Sequence, residues 1–178
     1  MRFVFSAVVV TALAAAACGA SKPDVSEVGG GTTSATAEVN PTEGNEVSGT
    51  VIFTVVEGKV RIHAEISGLT PGKHGFHVHE VGDCSDPAGK SAGGHFNPEG
   101  MDHGGPHDAI RHVGDLGNLE ADENGVAVMD TEDTLVALEG PNSVIGRSVI
   151  IHADADDLSS QPTGAAGARV ACGEIEAD

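Results

Sequence analysis

Basic residues are scarce in this chain: nine Lys and Arg stand against 27 Asp and Glu, a formal charge of −18 over 178 residues. Nucleic acid is an implausible partner for so acidic a body, and the acid reads first as solubility. Long apolar runs are scarce too. The one that stands out, Phe3 to Ala17, is shorter than the roughly 20 residues a transmembrane helix needs, so no membrane-spanning segment is expected. No helical period of three turns appears in the remainder. Trp and Tyr are absent, and Cys occurs three times. Against that background the segment HGFHVHE, His74 to Glu80, puts three imidazoles into seven positions.

The length fits one domain with a proper core. Residues 1–17, with Arg2 ahead of the apolar run and small residues at its end, read as a cleaved secretory signal. The Ala15-Ala16-Ala17-Cys18 ending resembles a bacterial lipobox, which implies that Cys18 is lipidated and becomes the new N-terminus. Cleavage there removes Arg2 and no acid, leaving the chain one charge more negative. The stretch GASKPDVSEVGGGTTSATA that follows is small, polar and without hydrophobic period, so residues 18–34 are assigned to the lipidated Cys and a flexible tether reaching about 20 to 25 Å. The globular domain is expected over 35–178. Export permits disulfides, and with Cys18 assigned to lipid, Cys84 and Cys172 are left to pair across 88 residues. Such a closure is worth about 4 to 5 kcal/mol in the chain-entropy model.

Lys59 to Ile66 alternates strictly, with Val60, Ile62, Ala64 and Ile66 on one face and Lys59, Arg61, His63 and Glu65 on the other. Gly49 to Val56 is β-branched and joined to it through Glu57-Gly58, so the two read as a hairpin. Further strand-like runs are His112 to Glu120, Gly125 to Asp130, Thr134 to Leu138, Arg147 to His152 and Arg169 to Ile175. Short strands with turn signals at intervals predict an all-β, eight-stranded Greek-key barrel or sandwich of immunoglobulin-like type. Residues 84–111 and 153–168 break the rhythm, rich in Gly, Pro, Asp and His, and are expected to be two long functional loops.

The histidines gather at those loops. If Phe76 to Glu80 is a strand, His77 and His79 share a face about 6 to 7 Å apart, a spacing suited to two ligands of one metal. His95, His103, His112 and Asp115 offer three nitrogens and one carboxylate, a closed tetrahedral set suited to zinc. His152 ends an apolar strand at the start of the second loop. Nitrogen ligation with an open position suits Cu²⁺. Spacing alone does not assign each histidine to its metal. His63, on the polar face of its strand, reads as solvated, and His107 as a surface residue.

GFHVHE at 75–80, GGHFNP at 93–98, HGGP at 103–106, RHVGDLGN at 111–118, IIHADADDL at 150–158 and AGARVACG at 166–173 resemble, in order and spacing, the copper/zinc superoxide dismutases, here in a bacterial, exported lipoprotein form. The resemblance covers roughly residues 35–176. It implies dismutation of superoxide to oxygen and hydrogen peroxide by copper that is alternately reduced and reoxidised beside a structural zinc, as a defence outside the cytoplasm. It makes His77, His79, His95 and His152 the copper ligands and His95, His103, His112 and Asp115 the zinc ligands, with His95 bridging both and taking part in catalysis. It gives Asp156 the role of a carboxylate linking the two ligand sets, Arg169 that of guiding the substrate anion, and Thr163 that of narrowing the channel. Glu80 and Arg147 match a buried ion pair, Cys84 and Cys172 the family disulfide, and His74 a structural hydrogen-bonding position.

Two departures carry expectations. Ala153, Asp154 and Pro162 stand where the cytosolic animal enzymes supply Glu or Lys, so long-range guidance of an anion is in doubt. Glu174 and Thr50 stand where their dimer interface is apolar, so a monomer, or a dimer through another surface, is expected. Membrane contact is expected only through the lipid at Cys18, placing the domain in the cell envelope, in the periplasm or at the cell surface.

Overall fold

The computed structural model describes residues 31–178. The segment read as a signal peptide, Cys18 with its expected lipid and most of the expected tether lie outside the described residues. Eight strands follow in chain order: β1 Ser34–Pro41, β2 Ser48–Val56, β3 Lys59–Ser67, β4 Gly72–His79, β5 Asp115–Ala121, β6 Ala127–Asp133, β7 Ser148–His152 and β8 Arg169–Ala177. They join in the order β5-β4-β7-β8-β1-β2-β3-β6, each pair antiparallel. The outer strands β5 and β6 pack against each other, so the sheet closes on itself as a Greek-key barrel. The only helical element among the described residues is one 3-10 turn, Lys90–Ala92.

The alternation in β3 does what its pattern demands: Val60, Ile62, Ala64 and Ile66 are buried and their neighbours face outward. β1 is the strand the sequence concealed. Its inward side chains are Ala35, Ala37 and Val39, the first two fully buried, so a strand not named from the sequence opens the domain. Thr134 to Leu138 is the converse. It buries Val136 and Leu138 but forms no strand, only an isolated bridge from Ala137 to Ser143. There Asp133 Oδ1 accepts from Leu135 N and Val136 N and turns the chain out of the ladder. Strand β5 begins at Asp115 rather than His112, because residues 112–115 form a turn closed by Asp115 N donating to His112 O at 3.3 Å.

Strand β4 positions the chemistry. Phe76 and Val78 point into the barrel core, so His77 and His79 occupy the outer face. An outer face is normally wet, yet both imidazoles are buried. The connections 80–114 and 153–168 lie over them, which is why those connections are long. Cys84 and Cys172 are bonded, Cα–Cα 5.7 Å, fastening the first of these loops to β8.

Candidate metal centre

Six imidazoles and two carboxylates converge under the loops, all buried. His77, His79, His95 and His152 form one group whose ligand atoms all lie within 4.8 Å of one another. His95, His103, His112 and Asp115 form a second by the same measure. His95 belongs to both.

The first group fits a metal by what it leaves unpaired. His77 Nδ1, His79 Nε2, His95 Nε2 and His152 Nε2 are buried nitrogens without a hydrogen-bond partner. Buried polar atoms are normally satisfied. The opposite nitrogens are all engaged: His77 Nε2 donates to Asp156 Oδ2 at 2.7 Å, His79 Nδ1 to Gly93 O at 3.0 Å and His152 Nδ1 to Gly167 O at 3.2 Å. Each acceptor fixes the tautomer and leaves a lone pair aimed into the cluster. Burial depresses these groups further, His95 to about 4 and His152 to about 3, with His79 also well below its ordinary value. Near neutral pH all three are uncharged donors, the state metal ligation requires.

The second group fits by its distances. His95 Nδ1, His103 Nδ1 and His112 Nδ1 lie 2.8, 2.9 and 3.1 Å from Asp115 Oδ1, and His112 Nδ1 lies 3.3 Å from His95 Nδ1. Four ligands at about 2.0 Å from a tetrahedral zinc are about 3.3 Å apart, so the set needs little adjustment to close on that ion. The other carboxylate oxygen is held by the backbone, Asp115 Oδ2 accepting from His112 N at 2.8 Å and Gly104 N at 3.1 Å. Burial would raise the Asp115 carboxyl, but hydrogen bonds from His103, His112 and His95 hold it well below the usual range.

Asp156 ties the two groups a second time. Its Oδ2 accepts from His77 and its Oδ1 from His103 Nε2 at 3.0 Å. Asn118 fixes its backbone from both sides, donating to Asp156 O at 3.0 Å and accepting from Asp156 N at 2.8 Å. Gly164, at φ 67°, passes so close that a Cβ there would overlap the Asp156 carboxylate. Gln161 grips His103 similarly, its Oε1 accepting from His103 N at 2.8 Å and its Nε2 donating to His103 O at 2.9 Å.

Arg169, half-buried at the head of β8, spans back to the first loop: Nη1 donates to Gly89 O and Nη2 to Gly93 O, both at 2.6 Å. Gly93 O is also the acceptor for His79, so one carbonyl aligns a ligand and the arginine together. His74 takes the structural role expected of it, its nitrogens 2.8 Å from His152 O and Thr70 O. Thr163 is half-buried in the turn before Gly164. His63 is only partly exposed, beside Glu65 and Asp130.

The ion pair expected of Glu80 and Arg147 is neither buried nor in direct contact, although the Glu80 charge still favours the Arg147 guanidinium. Glu80 is exposed and turns its carboxylate to Gly94 N. Arg147 donates to the main-chain oxygens of Ser143 and Glu80, both at 2.8 Å, and lies 3.4 Å over the ring of Phe96. Carbonyls and an aromatic face satisfy a guanidinium without burying a second charge. Arg111, Asn118 and Gln161 were not anticipated; Arg111 and Asn118 lie inside the RHVGDLGN motif, whereas nothing in the sequence marks Gln161.

A Greek-key barrel carrying a four-imidazole group and a three-imidazole, one-carboxylate group that share a histidine defines a β-barrel protein with two adjoining metal-binding groups. The family model for copper/zinc superoxide dismutase matches residues 47–175. The chain belongs to that family, whose enzymes use copper and zinc and act on superoxide. It is 49% identical over 153 residues to the extracellular superoxide dismutase [Cu-Zn] of Brugia pahangi, covering 81% of this chain and 76% of the relative. Among solved structures it resembles the one titled clock protein EA4, at 47% identity and a TM-score of 0.77, covering 84% of this chain and 98% of the other.

Proposed function

We propose that His77, His79, His95 and His152 hold copper, that His95, His103, His112 and Asp115 hold zinc, and that Arg169 guides the substrate. The observation that carries this assignment is the set of four unpartnered nitrogens facing one another beside the carboxylate group that shares His95. Bound copper supplies the one-electron oxidation and reduction by which two superoxide ions and two protons become oxygen and hydrogen peroxide; zinc has no redox part. The protein's own residues do the rest. Arg169, clamped at Gly89 and Gly93, presents a fixed positive charge to the anion. His95 Nε2 is the atom at which a proton can be taken up and released, while Nδ1 stays with the second group. Asp156 keeps His77 and His103 in their tautomers throughout. Metal stoichiometry and superoxide consumption measured on one purified sample test the reading. Active protein with one copper and one zinc per chain is expected; activity without copper overturns it.

We further propose that the protein is exported, lipidated at Cys18 and active as an envelope defence against superoxide. Residues 1–18 support this, as does the word extracellular in the relative's name and a disulfide, a bond more common outside reducing compartments. For the assembly, Glu174 is exposed and Thr50 Oγ1 donates to Glu38 Oε2 at 3.4 Å, a polar surface that favours a monomer or a dimer through another face. An intact mass of membrane-extracted protein that shows Cys18 unmodified removes the anchor.

A further inference from the structure

The one arginine–carboxylate pair buried on both sides among the described residues is Arg111 with Asp133, and no step above uses it. Arg111 directly precedes His112. Its Nη2 donates to Asp133 Oδ2 at 2.6 Å, while Nη1 faces the carbonyls of His112 at 3.1 Å, Asp115 at 3.3 Å and Val113 at 3.4 Å. The guanidinium therefore sits beneath the turn that carries two donors of the carboxylate group. It fastens their main chain to the end of β6. Asp133 is pinned in turn, because its Oδ1 accepts from Leu135 N and Val136 N at 2.7 and 2.9 Å. A buried charge is tolerated only where its hydrogen bonds are nearly complete, and these acceptors are placed for that fork and would not be met by a point charge.

Gly114 shows how tight the arrangement is. A Cβ there would collide with Val78 O, so the turn rests directly on β4 between His77 and His79. With β4 on one side and Arg111 on the other, residues 112–115 have no slack through which His112 and Asp115 could drift apart.

We propose that Arg111 and Asp133 are positioning residues that hold the 112–115 turn in ligand geometry before zinc arrives, so that zinc affinity depends on them as well as stability. This rests on the assignment of His112 and Asp115 as zinc ligands. The experiment uses metal-free, disulfide-intact protein. Zinc affinity is measured by chelator competition, and the intensity of the cobalt(II) absorption bands reports tetrahedral geometry. Wild type is measured beside Arg111→Lys, Asp133→Asn and Val51→Ala, the last a core truncation on β2 that lowers the melting temperature without touching the turn.

Both turn variants should bind zinc about 10- to 100-fold more weakly, the range usual for residues that orient metal ligands, with weaker cobalt bands. Val51→Ala should leave both within about twofold of wild type, at a scale well below that range. Zinc affinity and cobalt bands unchanged in Arg111→Lys, or an equal loss in Val51→Ala, overturns the positioning role. Wild type that binds neither ion overturns the ligand assignment instead. If both turn variants fail to fold, hydrogen exchange decides on wild type alone. Protection of the His112 and Asp115 amides in the metal-free state supports the proposal, and exchange as fast as in an open loop ends it.

Discussion

Substitution of His95 is the single change that takes a member from both metal groups at once, because its two nitrogens face different ones. His95→Ala is expected to disturb copper and zinc together, whereas His79→Ala removes copper and spares zinc; metal analysis of the two variants distinguishes them. Protonation gives a second residue-scale test in the metal-free protein. His95 and His152, at about 4 and 3 when folded, take up protons in the unfolded chain first. Stability should therefore fall as pH drops below about 6.5, by up to about 1.4 kcal/mol per pH unit for each group. His103 runs the other way. Burial opposes its charge, but Asp115 and Asp156 outweigh that and raise it to about 9, so its contribution is lost between pH 6.5 and 9. Metal-free protein should melt highest near pH 6.5, and the alkaline decline should vanish once metals occupy the nitrogens; melting curves from pH 4 to 9 check both. The histidines that converge in the two groups were legible as candidates from residue type and spacing, while their division between two metals came only from the resemblance. The fate of Glu80 and Arg147 was not legible, since a main-chain carbonyl and the face of Phe96 are partners that no residue type announces.

At the scale of elements, the loop after β4 does its work by being fastened. The Cys84–Cys172 bond holds it to β8, and Gly89 and Gly93 on that loop supply the carbonyls that aim Arg169. Replacing both cysteines by Ala should cost up to about 4 to 5 kcal/mol of stability. It should also lower kcat/KM by about 10- to 100-fold, as the arginine loses its fixed position. Steady-state assays with the metal content matched separate the second effect from the first. Strands with large alternating side chains, such as β3, could be read from sequence, and so could the presence of two loops. β1 could not, because alanine and threonine in alternation carry little hydrophobic contrast although Ala35 and Ala37 seal the barrel. Thr134 to Leu138 misled for the opposite reason. Its apolar residues are buried, but the Asp133 carboxylate bends their backbone away from any partner strand.

For the whole molecule the governing quantity is charge. An acidic body at −18 with a radius of about 19 Å repels a unit anion at its surface by roughly 3 to 4 kcal/mol without salt, and by about 1 kcal/mol at physiological ionic strength. Lys59 and Arg61 are already paired with Glu132 and Asp130, so they offer the approaching anion little. At about 6 Å, Arg169 would attract the substrate by roughly 0.7 to 3 kcal/mol, which wins only near the metal. The rate should be flat or rise with added salt below about 0.1 M, where the repulsion is least screened. Arg169→Glu should lower it far more than loss of any exposed lysine. Stopped-flow rates across ionic strength test this, and a steep monotonic fall would reveal a positive funnel elsewhere. The sheet order has a further consequence. Every residue assigned as a metal ligand or substrate guide lies on β4, β5, β7, β8 or their connections; the positioning residue Asp133 ends β6, and none of these residues lies on β2 or β3. The strands and connections around the metal groups bear the chemistry, while β2 and β3 answer only to folding. A saturation scan scored by activity at equal abundance should therefore be nearly blank across residues 48–67. That meander is where the lineage is free to drift, and where an engineer can attach cargo without consulting the metals.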